Sequence, residues 1–289
     1  MSQSNTLRLV FPQWQGGNNE PYYFGAQLLN WLAPETNGPI EFVEVEKPDG
    51  NPLTEIQGIV ARNTLINQLE DAQEKILKHQ PDRLVILGGD CLVDLAPFSY
   101  LNEKYGGELA VLWIDAHPDI MTPNQFKHAH AMVLGNLLGH GDEQFRSYVS
   151  KPLKAKNVCY LGVNEMTDWE KNRMSELGLK NISPDQFKLL GTQSILNWFT
   201  STGAKHLAIH IDLDAIDPTL FRSLLFANVD YPEGTFDGVA KGKLSMSDIV
   251  EAISEVNKVS DIVGIGIAEH LPWDALALKK MLEKLPLLS

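Results

Sequence analysis

The sequence predicts an α/β fold, a mostly parallel sheet with helices on both faces. Two observations carry that expectation. Short apolar runs alternate along the chain with segments whose apolar residues recur at helical spacing, as successive βαβ units do. The apolar runs are also continuous, as in strands buried on both faces. In chain order the strands are expected over 7–11, 40–45, 84–87, 109–114, 158–163, 206–211 and 262–268. The helices between them are expected over 23–32, 64–79, 94–102, 131–138, 194–201, 247–258 and 274–285. The helix from 247 places Ile249, Val250, Ile253 and Val256 at helical spacing, with Ser245 or Ser247 as its cap. No repeat with a period of roughly 20–50 residues and no linker breaks the alternation, so residues 1–289 are expected to form a single domain.

Composition narrows the function. Of 289 residues, 44% are hydrophobic, ample for a core. No apolar stretch is long enough to span a bilayer, and residues 1–13 lack a basic region followed by an apolar core, so no signal peptide is expected. The two cysteines, Cys91 and Cys159, each lie in or beside an apolar run, which argues for a reducing compartment and against a disulfide framework. A cytoplasmic location is expected. The formal net charge of −13 disfavours nucleic acid and anionic membrane as partners. Bound divalent cations would offset part of it.

The chemistry sits where strands end. Residues 84–87 run into Gly88-Gly89-Asp90-Cys91, and 109–114 into Asp115-Ala116-His117-Pro118-Asp119. Residues 158–163 lead to Asn164-Glu165, 206–211 to Asp212-Leu213-Asp214, and 262–268 to Glu269-His270. Ligands of open α/β sheets gather at the carboxyl ends of strands. An aspartate after a strand is also a common helix cap, but five such ends on one edge do not reduce to five caps. Asp115, His117 and Asp119 follow period-two spacing, so an extended stretch turns all three the same way. Four aspartates and a histidine cannot share a small low-dielectric space unless they protonate or coordinate cations. A metal site is the simplest resolution.

These residues resemble the ureohydrolases, the family of arginase, agmatinase and formiminoglutamase. The resemblance rests on Gly88-Gly89-Asp90-Cys91, the block from Asp115 to Asp119, His130, the block Asp212-Leu213-Asp214-Ala215-Ile216-Asp217-Pro218, and Glu269, in order and spacing from about Leu84 onward. Residues 1–80 carry no assignable motif. The resemblance implies an arginase-like three-layer α/β/α fold with a parallel sheet of about eight strands and a pair of bridged manganese ions. It places the first ion on Cys91, Asp115, Asp119 and Asp212, and the second on His117, Asp115, Asp212 and Asp214. Asp217 is implied to be structural. Carboxylates with imidazole suit Mn²⁺ or a similar ion, and a metal-bridging hydroxide would attack the central carbon of a guanidino or amidine group. Glu269 is implied to pair with the substrate cation and His130 to pass a proton to the leaving amine. His128 lies nearby, but residues 130–132 begin the helix-like run that follows this histidine in the family.

The departures matter as much. Most members carry histidine where Cys91 stands. Cys91 is a softer, anionic ligand that turns preference toward Zn²⁺, Fe²⁺, Co²⁺ or Ni²⁺. Four readings compete: ligation in place of histidine, a weakly held first ion, loss of ligation in a non-catalytic homologue, or a covalent nucleophile. Ligation is favoured because every other ligand is intact. The loop after Asp119 is short and puts Met121 where arginases carry asparagine. The paired aspartates that hold a substrate amine are not reproduced; Glu165 and Asp168 are the nearest carboxylates. Phe221, Leu224, Leu225 and Phe226 either pack or line a different pocket, with Arg222 meeting a substrate carboxylate. Trp169 and Trp273 either wall the site or pack in the core. L-Arginine is therefore not the first expectation, and an N-hydroxylated arginine or another guanidino or formimino compound fits no worse. The expected function is a binuclear-metal amidinohydrolase acting on a small guanidino or amidine molecule. The alternative is a non-catalytic relative that binds metal or ligand for a structural or regulatory role. A homo-oligomer is compatible with either.

Overall fold

The computed structural model describes residues 5–286. Its elements, in chain order, are β1 (Thr6–Phe11), α1 (Pro21–Leu32), β2 (Ile40–Phe42), a small antiparallel hairpin of β3 (Glu55–Ile56) and β4 (Ile59–Val60), α2 (Arg62–His79) and β5 (Arg83–Gly88). There follow α3 (Leu95–Lys104), β6 (Ala110–Ile114), α4 (Val133–Leu137), α5 (Glu143–Arg146), β7 (Val158–Leu161), α6 (Asp168–Leu177) and β8 (Lys180–Ile182). The chain continues through α7 (Pro184–Leu190), α8 (Gln193–Thr202), β9 (His206–Asp212), α9 (Met246–Asn257), β10 (Asp261–Ala268) and α10 (Trp273–Leu282).

Eight strands form one parallel sheet in the order β2-β1-β5-β10-β9-β6-β7-β8. Alternation along each strand divides the core in two. From β6, Val111 and Trp113 face the layer holding Leu65 and Leu69 of α2 and Phe98 and Leu101 of α3. Leu112 and Ile114 face the layer of Trp198 and Phe199 of α8 and Ile249 and Val256 of α9. Helices thus cover both faces of a buried parallel sheet, the three-layer arrangement expected. No helix among the described residues is long and apolar enough to cross a membrane.

The seven expected strands all form, with the second ending early at Phe42. The turn before α3 begins as a 3₁₀ segment at Cys91–Asp94, and α4 is preceded by another at Ala129–Met132. Unanticipated are the hairpin, α5, β8, and the helices α6 and α7 on either side of β8. Ser245 rather than Ser247 caps α9, accepting the amide of Asp248 at 3.1 Å. The five strands expected to end in chemistry are the consecutive neighbours β5, β10, β9, β6 and β7. All run parallel, so their carboxyl ends share one edge.

Candidate metal centre

Each site residue arrives by its own strand. At the end of β5, residue 89 must be glycine because a Cβ there would strike the carbonyl oxygen of Gln13. The amide of Glu269 donates to the Gly89 carbonyl at 2.7 Å and ties the end of β10 to the same crossing. Asp90 accepts the amides of Leu92 (3.1 Å) and Gly17 (3.2 Å) and so caps the 3₁₀ turn that opens with Cys91. The buried Cys91 Sγ then lies 3.2 Å from Asp212 Oδ2 and 3.7 Å from Glu269 Oε1.

Beyond β6, Asp115 is held from two sides. Its Oδ1 accepts the His117 amide at 2.6 Å and its Oδ2 the indole N–H of Trp113 at 3.0 Å. His117 Nδ1 faces Asp214 Oδ2 at 3.1 Å and Asp115 Oδ1 at 3.5 Å. Asp212 ends β9 and accepts the Asp214 amide at 2.7 Å, which turns the chain and brings Asp214 to the same side. Glu269 Oε1 meets His130 Nδ1 at 2.9 Å. Asp119 (φ 50°) and Glu269 (φ 65°) both hold left-handed backbone, unusual for non-glycine residues and the kind of strain that collects at functional sites.

Asp115, Asp119, Asp212, Asp214 and Glu269 are each at most 5% exposed, with few cations against them. Burial, then repulsion from Asp115, raises Asp119 well above the carboxylate range. Burial, then Asp214 and Glu269, does the same to Asp212. Asp115 is raised by burial, although His117 opposes the shift. Burial, then Asp212 and Glu269, drives the Cys91 thiol well upward. Burial pushes His117 down, but Asp214 and Asp115 outweigh it and hold the ring well above its usual range. His130 is likewise lowered by burial and raised on balance by Glu269. Crowding of buried acids thus pushes Asp115, Asp119 and Asp212 toward their protonated forms, and His117 and His130 toward theirs.

The donor set fits divalent cations. The ligand atoms of Asp115, His117 and Asp214 lie within 4.8 Å of one another, as do those of Asp212, Asp214 and Glu269, and those of Cys91, Asp115, Asp119 and His210. Atoms bound about 2.0–2.3 Å from one ion stand roughly 3–4.5 Å apart. Asp119 Oδ2 is buried with no hydrogen-bond partner, as an oxygen reserved for a cation would be.

Above the acids opens a cavity of about 500 Å³. His117, Asp119, His130, Asp212, Asp214 and Glu269 line its polar floor, and Met121, Phe126, Met166, Phe226, Tyr231 and Phe236 its walls. Every residue expected to ligate metal or act in catalysis therefore converges on one place. His128 does not: its Nδ1 has no partner, and burial, then His130 and Lys127, lowers it to about 4.

Several residues considered for substrate contact lie elsewhere. Arg222 pairs with Asp274 at 3.2 Å and is absent from the cavity wall. Trp273 donates its indole N–H to the Leu224 carbonyl at 2.7 Å, and Trp169 packs against the core. Leu224 is fully buried. Glu165 reaches the cavity rim but is paired with Lys243 at 2.8 Å, and Asp168 is an exposed residue in the first turn of α6. Asp217 accepts the amide and hydroxyl of Thr219 (2.8 and 2.7 Å), a turn role. Trp113, Asp94 and His210, beneath the acids, were not anticipated. The available signal was position: Trp113 and His210 each precede a site aspartate by two residues on a strand and share its face.

Comparisons with known proteins agree with this geometry. A family model described as arginase family matches residues 27–224. An arginase of Entamoeba histolytica is 24% identical over 195 residues, covering 65% of this chain and 62% of that protein. A Staphylococcus aureus arginase is 24% identical over 140 residues, 46% of each chain. The chain thus spans less than two-thirds of the length of these curated relatives. A crystal structure of the Entamoeba histolytica arginase in complex with L-ornithine superposes with a TM-score of 0.78 at 19% identity, covering 94% of this chain and 92% of that one. These structural likenesses speak to the fold.

Proposed function

The chain belongs to the arginase family, and from that premise we propose that it is a metal-dependent hydrolase that cleaves a C–N bond of a guanidino-type substrate. The observation that carries this reading is the Glu269–His130 pair, 2.9 Å apart on the floor of a cavity that also reaches the buried aspartates. A structural metal site needs neither residue.

In this reading Cys91, Asp115, Asp119 and Asp212 hold one divalent ion, and His117, Asp115, Asp212 and Asp214 the other, with Mn²⁺ suited to the carboxylates and Co²⁺, Fe²⁺, Ni²⁺ or Zn²⁺ to the thiolate. A bound pair would make water nucleophilic near neutral pH, lowering its pKa from about 15.7 toward about 7. The chain's own residues do the rest. Glu269, buried and paired with His130, receives the planar substrate cation and orients its central carbon over the acids. His130, whose Nδ1 is held by Glu269, passes a proton to the departing nitrogen. Phe126, Phe226, Tyr231 and Phe236 wall the cavity above the acids with apolar surface, which strengthens the charge interactions beside it.

The walls also bear on the substrate. Met121 and Met166 stand at the cavity, and of the two glutamates at its wall Glu165 is paired with Lys243 and Glu170 with the amide and hydroxyl of Thr167. Such walls favour a guanidino or amidine compound with an apolar or modified tail over one bearing a free α-amino group. The test is a screen for urea or ammonia release over guanidino, ureido and formimino compounds, with Mn²⁺, Co²⁺, Ni²⁺ and Zn²⁺ each supplied. Release from at least one compound, lost in His130→Ala, supports the reading. Silence across the panel from metal-loaded protein overturns it and leaves a non-catalytic binding role.

A further inference from the structure

A buried histidine with no part in the reaction lies directly under the aspartates. His210 is in the middle of β9, two residues before Asp212 and on the same face of the sheet. It is paired with Trp113 across β6 and β9, and the two rings stack with centroids 3.7 Å apart and an interplanar angle of 15°. Its Nδ1 is 2.7 Å from Asp94 Oδ2. Asp94 fits there because residue 266 on β10 is glycine; a Cβ at that position would collide with the Asp94 carboxylate. The lodging is specific on every side.

The other ring nitrogen is the unexplained atom. His210 is fully buried, and its Nε2 has no hydrogen-bond partner. It points toward Asp115, whose Oδ2 is 4.0 Å away, too long for a hydrogen bond, and already accepts the Trp113 indole N–H. A ring nitrogen of His210 and the donor atoms of Cys91, Asp115 and Asp119 all lie within 4.8 Å of one another, and with Nδ1 turned to Asp94 the nitrogen facing this cluster is Nε2. A buried polar nitrogen left unpaired costs about 1–3 kcal/mol, and native interiors rarely keep one. A carboxylate that accepts Nδ1–H leaves the Nε2 lone pair free, the arrangement by which metal-binding histidines are oriented. Cys91, Asp115 and Asp119 are all anionic when ionised, so a neutral imidazole completes the set without adding charge.

We propose that His210 ligates, through Nε2, the ion shared by Cys91, Asp115 and Asp119, and that Asp94 is the positioning residue that fixes its ring. The proposal rests on the metal-dependent reading above and extends it with a ligand from beneath the strand ends.

The experiment is a Co²⁺ titration of the chelator-treated full chain, read by calorimetry and by the thiolate-to-cobalt absorption band. Wild-type protein is expected to bind two ions. His210→Phe, which keeps the stacked ring, is expected to bind one of them at least tenfold more weakly, with the thiolate band displaced but present. Asp94→Asn is expected to weaken the same ion about 10- to 100-fold. Melting of each metal-free variant checks the fold, and His210→Asn replaces His210→Phe if the latter does not fold. Wild-type protein supplies an independent reading: the cobalt-loaded form should show a hyperfine-shifted Nδ1–H proton from His210. Unchanged affinity in the variants, or absence of that proton, overturns the assignment and leaves the metal reading intact. Failure of wild-type protein to bind cobalt overturns both.

Discussion

Glu269→Gln separates the proposed substrate role from a packing role. The residue is 3% exposed, and its amide is pinned to the Gly89 carbonyl at 2.7 Å, so glutamine takes the same place and only the charge changes. Two opposite unit charges about 4 Å apart at an effective dielectric near 20 interact by about 4 kcal/mol. The realised loss is smaller, because the carboxylate is already shared with His130 at 2.9 Å. Hydrogen bonds to charged groups contribute about 1.5–3 kcal/mol, which sets the expectation at a roughly 10- to 150-fold fall in kcat/KM. A guanidinium is a cation before reaction begins, so much of the loss should fall on KM. Stability is pulled both ways: a neutral residue relieves the repulsion by which Glu269 raises Asp212 and Cys91 but gives up the charged contact with His130, so the metal-free protein should melt close to wild type. Steady-state kinetics at saturating metal, with melting curves in chelator, measure both quantities. Wild-type kcat/KM in the folded variant would refute the reasoning.

Four further outcomes follow from particular residues. Cys91→Ser should lower the occupancy of one metal site by elemental analysis, and unchanged occupancy and activity would show that the thiol does not ligate. Ile209→Ala removes a fully buried side chain from a central strand; it should cost about 2–5 kcal/mol in calorimetric unfolding, and under 1 kcal/mol would refute the packing described. Ser245→Ala removes the cap of α9 and should cost about 0.5–2 kcal/mol in denaturant unfolding, with no change expected in metal content. Hydrogen bonds from Lys78 and His79 lower Glu41 from 4.5 to about 2. A carboxyl lowered by folding stabilises above its unfolded pKa, so this contribution should disappear as pH falls from about 4.5 toward 2. Lys78 is largely exposed, which limits the effect to about 1 kcal/mol or less; the gap between wild type and Glu41→Gln should close over that range.

The strands that hold the site were legible because they are buried on both faces. β5, β6, β9 and β10 are apolar almost throughout, and nothing but a parallel-sheet interior tolerates such runs in succession. The edge strand β8 lacks that signature: three residues long, with only Ile182 buried. Helices α6 and α7 bury few apolar residues, so periodicity missed them. Their capping boxes, Thr167 with Glu170 and Ser183 with Gln186, were in plain view. Strand order was the least accessible feature. β10, the last strand in the chain, lies between β5 and β9, where Gly264 and Gly266 leave room for Leu101 and Asp94. No local pattern announces that placement.

The same distinction runs through the site. Asp115, His117, Asp119, Asp212 and Asp214 could be singled out because each stands against an apolar background on its own stretch of chain. The layer below them could not, because its members have meaning only in pairs. Trp113 reads as a core aromatic and His210 as one polar residue in an apolar strand until β6 and β9 are known to be neighbours. Once they are, the register that sets Trp113 beside His210 gives one layer two residues below the acids, on the same face of the sheet. Asp94 reaches that layer from the turn after β5, and Gly266 admits it from β10. All four strands that bear the acids and Cys91 therefore also shape what lies beneath. The physical consequence is that Asp115 is held from below by the indole of Trp113, itself stacked on His210, as well as from above by the His117 amide, so its place is fixed by the sheet and not by the loop alone.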